Sequence, residues 1–266
     1  MSHAFLNGEP ATADDLRALA LANYGHFTSM QVRDGAVQGL DLHLRRLQAA
    51  TRELFGADLD AADVRRQACA ALERAGLSDA SLRLTVFSRR FDYRDAGRDV
   101  PVDLLASLSP PAARFRPALR VKSYGFVRPV PHIKHVGTFP LFHYRRRARA
   151  DGFDDALFVG PDGAMVEGSI WNLGLWDGER VVWPDGPALR GTCEQLLQAG
   201  LAASGVPQQV RRVAQAEAGS FLAAFACNAS GLQPVTALDG VALDADTDLM
   251  ARLQAVLDRQ PWQPLA

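Results

Sequence analysis

The sequence predicts an α/β (α+β) protein built from two domains, and three observations carry that prediction. Alternating apolar strands and amphipathic helical segments are interleaved along the chain. A stretch holding Pro117, Pro129 and Pro131 interrupts this pattern near the middle, as a linker or an ordered loop beside a site would. From residue 139 the pattern restarts. The expected division is a small N-terminal α/β domain over 1–122, an interdomain loop over 123–131 and a larger C-terminal domain over 132–266.

The elements follow in order. AFLNGEP reads as a short strand with a turn at Asn7-Gly8. HFTSMQVRDGAVQGL reads as a hairpin: a strand from Phe27 to Val32, a turn at Asp34-Gly35 that supplies positive φ, and a return strand. Leu40, Leu44, Leu47 and Leu54 then recur at helical spacing up to Gly56. Residues 60–76 repeat the amphipathic pattern. SLRLTVFSR and PVDLLASLSPP alternate as strands. After the proline-bearing stretch, FPLFHYRRRARADG is helical from Pro140. Residues 155–184 are strands with turns at Asp162-Gly163 and Asp177-Gly178. RGTCEQLLQAGLAASG is a helix and a shorter one lies near 214–224. AFACNASGLQPV is a strand and loop, and DTDLMARLQAVLDRQ is a terminal helix.

Composition narrows the function. Hydrophobic residues make up 48% and charged residues 22%, enough to bury a real core. The net charge of -1 gives no field suited to nucleic acid or a membrane surface. Cys69, Cys193 and Cys227 are far apart, with neither metal spacing nor a disulfide framework, which fits a reducing compartment. The start, MSHAFLNGEPATADD, lacks a signal-peptide pattern, and no apolar run approaches ~20 residues. A cytoplasmic protein is expected.

The basic residues are the sharper clue. Of 29, only Lys122 and Lys134 are lysines. Arginine stays charged in proteins, whereas a lysine amine can act as a nucleophile, so a surviving lysine is a candidate for chemistry that arginine cannot do. Lys134 lies in HIKHV, whose apolar flanks favour the neutral amine; a lysine snorkelling from a strand end is the plain alternative. Glu167, in VEGSIWNL, is either a carboxylate paired in an apolar neighbourhood or a turn residue exposed beside Gly168. Gly191-Thr192 opens a predicted helix, and a helix N-terminus can seat a phosphate. One of Arg45 and Arg46 could face inward as a phosphate clamp, or both could be solvated. His26, His43, His132, His135 and His143 show no regular metal-ligand spacing, so no metal is expected. Neither GxSxG, GxGxxG nor GxxxxGK occurs.

Taken in order, these motifs resemble the class IV aminotransferases, the fold type IV pyridoxal 5'-phosphate (PLP) enzymes. The resemblance covers nearly the whole chain. The first hairpin with His43, Arg46 and Leu47 looks like the family's H-x-x-R-L helix, and HIKHV like its Schiff-base segment. GFDDALFVGPDGAMVEGSIWNL is similar to the block ending E-G-S-x-x-N, RGTCEQLL to the glycine-threonine helix start, and ACNASGLQPVTALDG to the late loop ending in Pro-Val. The resemblance implies a fold type IV architecture with a pseudo-barrel C-terminal domain that binds PLP. It implies Lys134 as Schiff base and proton shuttle, Glu167 as partner of the ring nitrogen, and Arg46, Gly191, Thr192 and Asn228 around the phosphate. It also implies a homodimer, for which Phe27, Met30 and Phe55 are candidate exposed apolar residues.

The chain departs from the family's pattern in three places. LALANYGHF stands where D-R-G and Y-G-D are common. Thr138 and Phe139 replace the tyrosine of the branched-chain enzymes, and Asn228 replaces a frequent threonine. Two activities follow from the resemblance: transamination of a small amino acid/keto acid pair, or 4-amino-4-deoxychorismate lyase, to which IKH and CNASGLQPV look closer. A cofactor-free binding protein on the same fold is a third reading, opposed by Lys134 and Glu167.

Overall fold

The computed structural model describes residues 3–113 and 116–266. The chain is α/β and separates into two compact units. The first holds the chain up to Ala112 together with Ile133–Gly137 and Pro261–Ala266; the second holds Ala113–His132 and Thr138–Gln260. The loop expected at 123–131 therefore begins inside a strand, Leu119–Gly125, and that strand belongs to the second unit.

In the first unit β1 (His3–Leu6), β2 (Glu9–Pro10), β3 (His26–Arg33), β4 (Ala36–Gln38), β5 (Ala80–Phe87) and β6 (Asp103–Ser109) join a C-terminal strand, Trp262–Pro264, in one sheet. The order is C-terminal strand, β4, β3, β5, β6, β1, β2, and every pairing is antiparallel. Asp34 and Gly35 adopt φ of 48° and 67°, so both central residues of the β3–β4 turn take the left-handed conformation a two-residue hairpin needs. Helices α2 (Leu40–Phe55) and α3 (Ala61–Ala75) bury Leu40, Leu44, Leu47, Val64, Ala68 and Leu72 with Met30, Val32, Leu82 and Leu84 of the sheet. Phe27, Met30 and Phe55 are all buried within this unit, so they are not the exposed interface candidates expected from the sequence.

Helix α1 (Ala13–Ala22) is absent from the expected elements. None of its residues is fully buried; Leu16, Ala18 and Leu19 pack only partly against Leu6, Phe87 and Leu105, so its apolar face is weak. Its start is fixed by a capping box between Thr12 and Asp15, and Arg89 ties Asp15 to Asp103 of β6.

The second unit contains β7 (Leu119–Gly125), β8 (Asp155–Val159), β9 (Met165–Gly168), β10 (Asn172–Trp176), β11 (Val181–Pro184), β12 (Gln208–Arg211), β13 (Ala223–Asn228), β14 (Gly231–Leu238) and β15 (Val241–Ala242). The path runs β12, β11, β10, β13, β14, β7, β8, β9, with β15 on β14. β7 is parallel to β8 and β14, and β11 is parallel to β12. β9 and β10 stand five places apart on this path, yet only Ser169, Ile170 and Trp171 connect them. A flat sheet would separate them by about 24 Å, at roughly 4.8 Å per strand. Four Cα–Cα steps span at most about 15 Å. The sheet must therefore curl back on itself.

Helices α4 (Phe139–Ala150), α5 (Thr192–Ala203) and α6 (Thr247–Asp258) complete this unit. Leu197 and Leu201 of α5 pack with Leu253 and Val256 of α6 and Phe225 of β13. The short helix expected near 214–224 is a 3₁₀ turn over Gln215–Ser220, and AFACNASGLQPV is a hairpin rather than a strand and loop. Among the described residues no helix is long and apolar enough to cross a membrane.

Two histidines, His26 on β3 and His43 on α2, are locked in the interior. His26 Nε2 lies 3.0 Å from Thr51 Oγ1, and His43 Nδ1 lies 2.6 Å from Thr28 Oγ1. Burial, aided by the charge of Arg46, pushes the pKa of His26 down to about 3. The unfolded chain then binds a proton, at its ordinary value of 6.5, that the folded chain refuses. His26 thus adds stability above pH 6.5 that is lost as pH falls toward 3. Urea unfolding at pH 7 and pH 5 should give a loss from this residue of about 2 kcal/mol. His26→Gln should flatten the acid limb by that amount; an unchanged limb would show that His26 is not buried neutral.

Candidate active site

Residues expected at the site fall into two groups, one in each unit. In the first unit Lys134 rides on Ile133–Gly137, which lies along the start of β3. The Phe27 N–H donates to the Lys134 carbonyl and the Val136 N–H to the Gly25 carbonyl, both at 2.9 Å, and Ile133 is buried beside them. These bonds fix the backbone on either side of the lysine. Its Nζ stands 4.9 Å from the centroid of the Phe27 ring, whose π-face attracts a cation.

α2 brings Arg46 to the same neighbourhood. Its Nη2 donates to Thr28 Oγ1. His43, one turn earlier, is buried and feels both cations: burial first, then Arg46 and Lys134, push its pKa down to about 3. The alternatives left by the sequence resolve here. Arg45 points to the exposed side and pairs with Asp41 at 2.7 Å, so Arg46 is the inward arginine. Lys122 belongs to the second unit and pairs with Asp151 at 2.8 Å on the surface, where Tyr124 also donates to Asp151.

In the second unit Glu167 is 6% exposed, so it is not the exposed turn residue that its position beside Gly168 allowed. Its Oε1 lies 3.3 Å from Nη2 of Arg128, which is itself buried, and its Oε2 accepts the Leu189 N–H at 3.2 Å. Across the three-residue connection, the buried Asn172 begins β10. Asn172 Nδ2 donates to the Leu189 carbonyl at 2.6 Å, and its Oδ1 accepts the Gly191 N–H at 3.2 Å. The 189–191 backbone is thereby pinned from both sides just before α5 starts at Thr192. A side chain at Gly191 would not fit, since a Cβ there would meet Asn172 Oδ1 at 2.3 Å. The helix start thus packs its glycine against Asn172, ahead of the first-turn N–H groups that have no partner within a helix.

Asn228 ends β13, one residue after Cys227, which lies opposite Asn172 in the β10–β13 ladder. Its Oδ1 accepts the Ser230 N–H at 2.9 Å and its Nδ2 donates to the Ile170 carbonyl at 3.3 Å. Arg116 reaches the same turn, donating to the Gly231 carbonyl at 3.0 Å and approaching Asn228 Oδ1 at 3.4 Å. Thr138 is the N-cap of α4, and Phe139 is 75% exposed.

Sequence reasoning passed over Arg128, Asn172, Thr28 and Arg116. Arg128 stands just before the Pro129-Val130-Pro131 run, where an arginine reads as a loop cation; only its burial against Glu167 singles it out. Asn172 had a signal, as the final residue of the E-G-S-x-x-N block.

The family model for amino-transferase class IV matches residues 25–238. No curated protein sequence matches the chain. Among solved structures, the PLP-bound form of a hypothetical aminotransferase from Mycobacterium tuberculosis is similar over 97% of this chain and 98% of its own, at 22% identity and a TM-score of 0.81. A branched-chain aminotransferase from the archaeon Thermoproteus uzoniensis, with norvaline, is similar over 99% of both chains, at 17% identity and a TM-score of 0.85. A candidate 4-amino-4-deoxychorismate lyase from Legionella pneumophila is similar over 91% of this chain and 93% of its own, at 19% identity and a TM-score of 0.82. At such identities the structures speak for the fold, while the family match spans most of the chain. The chain belongs to the class IV aminotransferases, a family of enzymes that use pyridoxal phosphate.

Proposed function

We propose that this enzyme is a PLP-dependent aminotransferase acting on a small amino acid/keto acid pair, with Lys134 as the residue that carries the cofactor. The observation that carries the reading is the fate of the two lysines: Lys122 is engaged in a surface ion pair, whereas Lys134 stands with Arg46 and a buried neutral histidine. The donor set fits PLP. A buried carboxylate suits a ring nitrogen, a helix start and a guanidinium suit a phosphate, and an amine suits an aldehyde.

When bound, PLP supplies an electron sink for the pair released at the substrate's α-carbon. Lys134, freed when the substrate's amine takes its place on the cofactor, would act as the base that takes the α-proton on its amine. Glu167, its carboxylate oriented by Arg128 and by the Leu189 N–H, would hold the ring nitrogen. Arg46, the Gly191–Thr192 helix start and Asn228 would be the phosphate's donors, as the resemblance implies. The second reading, 4-amino-4-deoxychorismate lyase, uses the same lysine to expel pyruvate. It is supported by the CNASGLQPV hairpin and by the activity named for the Legionella protein. Assays with amino-donor and keto-acid panels, then with aminodeoxychorismate, separate the two.

Protein loaded with PLP should absorb near ~410 nm. Borohydride should fix the cofactor to the peptide bearing Lys134, and Lys134→Ala should lose both the band and the activity while Lys122→Ala keeps them. Recovery of the label on Lys122 would overturn the assignment.

Glu167→Gln keeps the shape of the side chain and removes its charge. It should retain PLP and lower kcat by a few hundredfold, corresponding to about 3–4 kcal/mol of preorganised charge. An unchanged kcat would remove Glu167 from the mechanism.

The enzyme is further proposed to be a cytoplasmic homodimer. The resemblance supports the dimer, as do the exposed aromatic side chains of Phe139 and Phe142 on α4, since clustered exposed apolar residues mark interaction surfaces. Light scattering at micromolar concentration should give twice 28.8 kDa; a fully active species at the single-chain mass would rule the dimer out.

A further inference from the structure

We propose that Thr28 and His43 are positioning residues that aim Arg46 at the cofactor phosphate through a buried chain of hydrogen bonds. The inference rests on the reading that Arg46 faces the phosphate. Thr28 is fully buried on β3, opposite Leu84 of β5, and His43 is nearly as buried on α2. Between them the Thr28 hydroxyl has two partners: Arg46 Nη2 and, at 2.6 Å, His43 Nδ1.

The direction of each bond follows from what each group can do. A guanidinium only donates, so Arg46 takes up a lone pair of the Thr28 oxygen. The hydroxyl proton then needs an acceptor in a place closed to water. His43 can be that acceptor only as a neutral ring with Nδ1 unprotonated. Burial between two cations keeps it neutral, with its pKa pushed down to about 3. A hydroxyl that donates at one end is the better acceptor at the other, because chained hydrogen bonds polarise one another. The guanidinium is thus held from a central strand of the sheet rather than left to the rotamers of a long side chain, and less ordering remains to be done when a phosphate arrives.

The chemistry distinguishes this from simple core packing. A packing role would affect every ligand of the protein alike, whereas an aiming role affects only ligands with a phosphate. Apo protein is therefore titrated with PLP and with pyridoxal, which lacks the phosphate, and thermal melts monitor folding. Thr28→Val, which keeps the shape and removes the hydroxyl, should weaken PLP binding about tenfold, the size expected for one charge-assisted bond. Pyridoxal affinity should stay at the parent value. Thr28→Ser, which restores the hydroxyl, should bind PLP as the parent does, and His43→Gln should fall between the two. In an Arg46→Ala background, Thr28→Val should cost nothing further.

Three outcomes overturn the proposal. One is parent-like PLP affinity in Thr28→Val while Arg46→Ala binds PLP weakly. Another is an equal loss of PLP and pyridoxal binding in Thr28→Val. The third is full additivity of the two substitutions. Parent-like PLP affinity in Arg46→Ala would instead remove the clamp itself, and the aiming role with it. If Thr28→Val fails to fold, the contrast between His43→Gln and Thr28→Ser, alone and with Arg46→Ala, decides by the same readings.

Discussion

Three residues, Ser169 to Trp171, join two strands that stand five places apart in their sheet, and the second unit is shaped by that short tether. The tether is itself held: the Ser169 N–H donates to the Ala156 carbonyl at 3.0 Å, and its hydroxyl donates to the buried Asp155 at 2.6 Å. Glu167 stands at one end and Asn172 at the other. Both reach the same short backbone run, one through the Leu189 N–H and the other through the Leu189 carbonyl and the Gly191 N–H. The curl that satisfies chain geometry therefore also sets where α5 begins and where a buried carboxylate points. Each depends on the other through bonds to one residue, Leu189.

Burying charge on this scale is costly unless the partners stay put. Arg128 and Glu167 are each almost wholly removed from water and meet at 3.3 Å. Removing one partner of such a pair typically costs ~3–5 kcal/mol, because the other charge is left stranded. The pair thus acts less as glue than as a constraint: it leaves the carboxylate few other orientations. The same logic runs through the first unit with neutral groups, where His26 and His43 are kept uncharged in the interior and their hydroxyl partners carry the hydrogen bonds.

Much of this was legible in the sequence wherever local chemistry decides the outcome. The Asp34-Gly35 turn, the leucine spacing of α2, its stop at Gly56 and the glycine ahead of α5 are local signals, and each lies where it was expected. Elements placed by distant partners were not legible. β7 looked like the start of a linker because prolines follow it, and its strand character comes from β8 and β14 on either side. α1 hides its helix because none of its residues is fully buried. At the site, Lys134 stood out by rarity and Arg46 by its motif. Arg128 and Thr28 did not, since an arginine among prolines and a threonine in a strand are ordinary until burial and partners are known.

The first unit's sheet carries a consequence for synthesis. Its β4 edge is completed by Trp262–Pro264, and the Asp41 N–H reaches the side chain of Gln263, 222 residues away. The backbone that carries Lys134 is likewise delivered to β3 from more than a hundred positions downstream. A ribosome releasing the chain from its N-terminus would expose β3 and β4 long before their partners emerge. For that interval the apolar face of the hairpin has only α2, α3, β5 and β6 to cover it, and one strand edge stays open to other chains.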